Sequence, residues 1–226
     1  MIRVVSDIHG CEEKYRALLA RLRPEDTLYI LGDVIDRGPG GIAILEDMME
    51  RKNVIPLWGN HEYLMYRVVR HAGERVTPKE AAELLALYDL WTEQNGGLVT
   101  MEAWHALPET RKKALLRYLA SFRAYAEICA GGNRFLLCHT GPRGFQRERP
   151  PESYELEDFL EEPPDYGRVC FPDRFLVTGH IPTGRIAGSS LGRIFRKNNH
   201  IAVDCGAVFG GPLGCFCLDT MEEEYF

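Results

Sequence analysis

A chain of 226 residues, 45% hydrophobic and 27% charged, has room for one sizeable core and the composition of a globular protein. Its formal net charge of −6 argues against a general nucleic-acid binder, which needs a basic surface. It does not argue against a phosphorylated substrate, because metals bound at a site can outweigh the global sign.

The first sixty residues repeat one pattern. Ile2–Val5 is a short β-rich run that ends in Ser6-Asp7-Ile8-His9-Gly10. A helical stretch follows, with Tyr15, Leu18, Leu19 and Leu22 at helical spacing. Thr27–Leu31 is a second strand, ending at Gly32-Asp33, and a second helix covers roughly Gly41–Lys52. Val54–Trp58 is a third strand, ending at Gly59-Asn60-His61-Glu62. Strand, helix, strand, helix, strand implies right-handed crossovers and a parallel sheet. Each polar cluster then lies at the C-terminal end of a strand, where α/β sheets hold their ligands.

Residues 62–122 read as a helical insert in a single domain spanning 1–226. Its helices are Pro78–Trp91 and Pro108–Phe122, joined by a loop at Gly96-Gly97. Beyond it short strands dominate: Tyr125–Cys129, Arg134–Cys138, Phe175–Thr178, Gly192–Phe195, Ile201–Val203 and Gly214–Leu218. The Pro-rich, acidic stretch 147–166 reads as a surface loop with one helical turn. No apolar run approaches the roughly 20 residues that span a membrane, and none resembles a secretory leader. Seven scattered cysteines without a C-x-x-C pair predict reduced thiols and a cytoplasmic location. Cys215 and Cys217 read as small buried apolar residues.

The residue types at the strand ends suit metal chemistry. Asp7 and His9, two apart on an extended segment, offer a carboxylate and an imidazole on one side. Asp33 offers a carboxylate able to bridge two ions, and Asn60 an amide oxygen. His139 and His180 each follow a strand. Mixed Asp, Asn and His donors suit Mn, Fe or Zn better than Ca or Mg. Two such ions would clamp a phosphoryl group and lower the pKa of a water held between them. Arg37 is a natural bidentate phosphate partner. His61 is a candidate proton donor, with Asp36 to orient its imidazole.

Ser6-Asp7-Ile8-His9-Gly10, then Gly32-Asp33-Val34-Ile35-Asp36-Arg37-Gly38, then Gly59-Asn60-His61-Glu62 resemble the three signature blocks of the calcineurin-like metallophosphoesterases. The Asp-Arg-Gly and Asn-His-Glu forms resemble the phosphoprotein phosphatase branch, and bacterial and phage serine/threonine phosphatases in particular. His139-Thr140-Gly141 and Gly179-His180 resemble the last two metal-ligand motifs. Asn95-Gly96-Gly97 and the segment 201–211 look like segments common in bacterial members.

The resemblance implies an α/β fold (α+β by some schemes), a four-layer β-sandwich flanked by helices with a helical cap. It implies two divalent metal ions, with Mn favoured and Fe or Zn as alternatives. Asp7 and His9 would hold one ion, Asn60, His139 and His180 the other, and Asp33 would bridge. Arg37 would bind phosphate, the His61–Asp36 pair would be the general acid, and a metal-bound hydroxide would attack in line. Ser6 stands where Gly is usual, a change expected to touch no ligand, and Thr140 stands where Gly or Ala is common. Pro163 stands where a second phosphate-binding Arg is usual, leaving Arg143 and Arg168 as substitutes.

The implied activity is a serine/threonine protein phosphatase, with phosphotyrosine as a further substrate. The alternative is a dinucleoside polyphosphate hydrolase, which shares the Arg37-Gly38-Pro39-Gly40 stretch. A third reading, an inactive metal-binding scaffold, requires missing ligands, and all six are present. The partner is accordingly a phosphorylated protein, peptide or small metabolite, with no nucleic acid or membrane. Trp58, Trp91 and Trp104 read as core, His71, His105 and His200 as surface or structural, and Glu222–Glu224 as a solvated end.

Overall fold

The computed structural model describes residues 1–71 and 75–226. Among the described residues, ten strands form two sheets of five. In the first, β1 (Ile2–Val5), β2 (Thr27–Ile30) and β3 (Val54–Pro56) run parallel, linked by α1 (Glu12–Leu19) and α2 (Gly41–Met49). The later strands β9 (Gly214–Cys217) and β10 (Glu223–Tyr225) extend this sheet antiparallel, in the order β10-β9-β1-β2-β3. The second sheet has the order β4-β5-β6-β8-β7, from β4 (Tyr125–Ala130), β5 (Asn133–Cys138), β6 (Phe175–Thr178), β7 (Phe195–Lys197) and β8 (His200–Ala202). Here β5, β6 and β8 are the parallel set.

Strand alternation sorts the apolar side chains into layers. Val4, Tyr29 and Leu31 from the first sheet meet Phe135, Leu137 and Val177 from the second, forming the core between the sheets. The intervening Val5, Leu28 and Ile30 point the other way, onto helices. Among the described residues of 60–119 lie four α-helices: α3 (Asn60–Val69), α4 (Pro78–Asp89), α5 (Leu98–Ala106) and α6 (Glu109–Leu119). Met65, Trp91, Met101, Trp104, Leu115 and Leu119 share one cluster with Val5 and Ile30, so these helices build the layer covering the first sheet. On the second sheet's outer face, Leu136 and Leu176 are covered by Tyr154, Phe159 and Phe171, around two 3₁₀ turns at Pro151–Ser153 and Leu156–Phe159. This is the expected sandwich of two sheets flanked by helices.

Three expectations change. The two predicted insert helices are not joined by a simple loop. A π-helical turn, Leu90–Gln94, and all of α5 lie between them. The apolar residues of α5 are spread round the helix, so its sequence shows no clean stripe. Glu222–Glu224 is not a solvated end, because Glu223 and Glu224 belong to β10, and Glu224 receives the buried Arg3 guanidinium at 2.9 Å. The strand expected at Gly192–Phe195 begins only at Phe195.

His200 is buried in β8, stacked face to face on Tyr166 at 4.8 Å, with Nε2 2.8 Å from the Thr178 hydroxyl. Burial pushes its imidazole down to about 3. The unfolded chain therefore binds a proton below its usual value of about 6.5 that the folded chain refuses. The neutral ring supports the fold above pH 6.5, and that support is lost as pH falls from 6.5 towards 3. We expect urea unfolding of wild type to weaken relative to His200→Gln by up to about 1.4 kcal/mol per pH unit between pH 6 and 4.5. Parallel pH curves for the two proteins would refute this.

Candidate metal centre

The parallel strands of both sheets end at one edge, and the candidate ligands follow those ends. Asp7 and His9 follow β1, Asp33 follows β2, and Asn60 opens α3 after β3. His139 follows β5 and His180 follows β6. The six expected ligands are thereby brought together from five chain segments. Asp33 is at their centre: its Oδ2 lies 3.7 Å from His9 Nε2, 3.8 Å from His61 Nε2 and 3.4 Å from His139 Nε2. Two donor groups share it, His9-Asp33-His61 and Asp33-His139-His180. Asn60 Oδ1 is 2.9 Å and His180 Nδ1 3.0 Å from His139 Nε2. Asp7 Oδ1 is 4.0 Å from His9 Nε2.

The backbone reaches this geometry at a cost. Asp7, His9, Asp33, Asp36, Arg37 and His180 all have positive φ, between 44° and 69°. Such conformations are uncommon for residues with a Cβ and cluster where function demands them. The loop carrying Asp33 is held by Glu62. The fully buried Glu62 carboxylate accepts hydrogen bonds from the amides of Asp33 (2.8 Å), Val34 (2.7 Å) and Ile35 (3.1 Å). That loop in turn holds the first: the amides of His9 and Gly10 donate to the carbonyls of Asp33 and Val34 at 2.9 and 2.8 Å. Gly59 lets α3 begin against this loop, since a Cβ there would sit 2.2 Å from Asp33 Oδ1.

The donor set fits divalent metal ions. His9 Nδ1 is 2.8 Å from the Ile35 carbonyl, and His139 Nδ1 is 2.7 Å from that of Leu31. With the proton committed to a carbonyl, each ring offers an Nε2 lone pair, a common arrangement of metal-binding histidines. The electrostatics agree at His9 and His180, whose rings are held neutral, whereas His139 has to release its Nε2 proton to a bound cation. Burial and the Asp33 charge push Asp7 up to about 6 and Glu62 to about 7. Burial pushes His9 down to about 3 and, with His139 adding to it, His180 to about 4. At His139 burial opposes the charge, but Asp33 and then Asp7 outweigh it and raise the ring to about 9. Asp33 itself is held well below the usual carboxylate range: burial opposes its charge, but His139 and His61 outweigh that burial. A cation beside it would relieve the raised Asp7 and Glu62.

Around the ligands, His61 Nδ1 is 2.6 Å from Asp36 Oδ2. The same oxygen accepts from Trp91 Nε1 at 2.8 Å, and the Asp36 amide donates to the Thr100 hydroxyl at 2.9 Å. Arg37 stands at the mouth, its guanidinium against the Nε2 atoms of His9 and His61. Arg143 and Arg168 are exposed and paired with Asp158 and Asp165 at 3.0 and 2.6 Å.

Sequence reasoning missed several participants. The Ser6 hydroxyl donates to Asp7 Oδ2, so the Gly-to-Ser difference does touch a ligand. The reason is that Ser6 and the Gly179-His180 turn flank the same carboxylate, whose Oδ2 also accepts the His180 amide at 2.8 Å. Trp91 is core as expected, but its indole N–H also braces Asp36. The Asn95-Gly96-Gly97 segment is the partner of this arrangement. Gly96 accepts the Arg37 amide at 3.0 Å, and a Cβ on Gly97 would sit 2.3 Å from the Trp91 indole nitrogen. Only the aromatic among apolar helical residues and the paired glycines could have hinted at it.

Residues 1–210 match the family model of calcineurin-like phosphoesterases. The chain belongs to this family. Calcineurin-like phosphoesterases use divalent metals, in keeping with the two donor groups. A Geobacillus relative named bis(5'-nucleosyl)-tetraphosphatase PrpE, asymmetrical, is 24% identical, aligning 98% of this chain with 91% of its own. A symmetrical bis(5'-nucleosyl)-tetraphosphatase from Acidovorax ebreus is 42% identical, but over 26% of this chain. Among solved structures, a candidate diadenosine tetraphosphatase superposes with a TM-score of 0.65 at 17% identity, covering 100% of this chain and 92% of its own. A protein serine/threonine phosphatase from Saccharomyces cerevisiae gives 0.56 at 14% identity, covering 100% and 79%. Both structural likenesses establish the fold of this calcineurin-like phosphoesterase.

Glu62→Gln would keep one acceptor oxygen but set an NH₂ donor against at least one of the three buried amides. We expect Glu62→Gln to destabilise the metal-stripped protein by roughly 1–3 kcal/mol. Thermal unfolding measures this, and an unchanged midpoint would contradict the role of Glu62 as the holder of the Asp33 loop.

Proposed function

We propose that this calcineurin-like phosphoesterase hydrolyses dinucleoside polyphosphates, using two divalent ions, with Mn favoured over Fe or Zn, held by Asp7, His9, Asp33, Asn60, His139 and His180. The observation that carries the substrate class is the alignment of 98% of the chain with a relative named for asymmetrical bis(5'-nucleosyl)-tetraphosphate cleavage. Bound metals would supply Lewis-acid polarisation and lower the pKa of the attacking water. The chain's own residues do the remainder. Arg37 binds phosphate oxygens as a fork. Arg168 is a candidate for a second contact, because Gly141 of the His139 loop lies against Pro164 in the segment carrying it. Arg143, bonded through its amide to Asp158, is the other candidate. His61, oriented by Asp36, donates its Nε2 proton to the departing oxygen.

A second reading, a serine/threonine protein phosphatase that also accepts phosphotyrosine, draws on that last pair. His61 is raised above its ordinary value: burial opposes the charge, and Asp33 and Asp36 outweigh it. A serine alkoxide is a far poorer leaving group than a nucleotide phosphate and has more need of such an acid. The two readings therefore separate in one experiment on Mn-loaded protein. We expect faster cleavage of diadenosine tetraphosphate than of a phosphoserine peptide, and loss of both on chelation. His61→Asn should cost the peptide reaction roughly 10²–10⁴-fold and the dinucleotide reaction less. A preference for the peptide would overturn the nucleotide reading in favour of the phosphatase one. Asp33→Asn should abolish both reactions, and full activity in that variant would remove the dinuclear assignment.

A further inference from the structure

Beside the metal centre lies a cleft of about 570 Å³ that the chemistry above does not use. Its walls include Pro182, Leu191, Arg193, Phe209, Pro212 and Tyr225. Two of these apolar side chains face solvent: Phe209 is 62% exposed and Leu191 86%. Single exposed apolar residues are ordinary. These two, however, line the same concavity, and it adjoins the phosphate-binding arginine. The Arg37 guanidinium carbon sits 5.4 Å from the centre of the Phe209 ring. One guanidinium thus touches His9 and His61 on one side and the aromatic ring on the other.

The ring is on a fixed support. Phe209 belongs to the short 3₁₀ turn Ala207–Phe209, which follows β8 and Asp204. Lys14 ties the start of the turn and the segment just after it to α1, donating to the carbonyls of Ala207, at 2.7 Å, and of Gly211. Pro182, two residues beyond His180, forms the neighbouring wall. Arg193 adds a cation, its guanidinium carbon 4.7 Å above the Tyr225 ring. An exposed flat ring, apolar walls and flanking cations, one of them shared with the phosphate site, suit a group that is aromatic at one end and phosphorylated at the other.

We propose that this cleft is a nucleobase subsite, in which a base of the substrate stacks on Phe209 while its phosphates reach Arg37 and the metal centre. This rests on the nucleotide reading of the site and assigns Phe209 as a specificity-determining residue. Any base presents a π-face, so the subsite selects a nucleotide over a bare phosphate chain more than one base over another.

Calorimetric binding of ADP and of inorganic pyrophosphate to Mn-loaded protein tests the subsite without turnover. We expect ADP to bind wild type about ten-fold more tightly than pyrophosphate, as stacking of one base would give. Phe209→Ala should lose that preference and Phe209→Trp should keep it. Equal affinities in wild type, or a preference that survives Phe209→Ala, would overturn the subsite. A wild type that prefers ADP but leaves diadenosine tetraphosphate intact would support the subsite and overturn the hydrolase reading instead.

Discussion

The buried carboxylate of Glu62 holds the site together. Its two oxygens take the amides of three consecutive residues, Asp33 to Ile35. Those amides would otherwise be unpaired in the interior, each at a cost of about 1–3 kcal/mol. With them fixed, the carbonyls of Asp33 and Val34 are fixed too, and they receive the amides of His9 and Gly10. The Ile35 carbonyl then sets the tautomer of His9. One acidic side chain on α3 thus orders the loops after β1 and β2, and with them Asp7, His9, Asp33 and Arg37.

That arrangement has to withstand strain. Six non-glycine residues at the site are left-handed, and each costs on the order of 1–3 kcal/mol. The opposing term is burial in two large clusters, one between the sheets and one between the first sheet and the helices. The helical layer is therefore more than a cover. Through Trp91, Thr100 and the Gly96 carbonyl it braces the Asp36-Arg37 segment from outside. The cation the site is built for would relieve the remaining conflict, the mutual repulsion of the Asp7 and Asp33 carboxylates in a buried space.

Much of this was legible because the fold converts sequence position into spatial position in a simple way. A polar Asp, Asn or His after a short apolar run marks the C-terminal end of a parallel strand, so β1, β2, β3, β5 and β6 disclosed the six candidate ligands. The Asp36–His61 pairing was legible from residue type and adjacency to the ligands. Contacts set by tertiary packing were not. Nothing local says that Ser6 meets the carboxylate bonded to the His180 amide, or that the Trp91 indole reaches Asp36. The strand β10 was hidden because Glu223 and Glu224 read as solvated charge until Arg3 supplies the partner. The helix α5 was hidden because its apolar residues do not form one stripe. Phe209 was visible as a letter, but only the cation-ring contact with Arg37 gives it a place beside the site.

The proposed chemistry requires Asp33 to be shared by two metal ions. Anomalous diffraction from crystals soaked in Mn²⁺ and measured at the manganese edge tests it most directly. Two peaks should flank Asp33, about 3.5–4 Å apart, one beside His9 and Asp7 and one beside His139, His180 and Asn60. A single peak, or peaks that do not include Asp33, would contradict it.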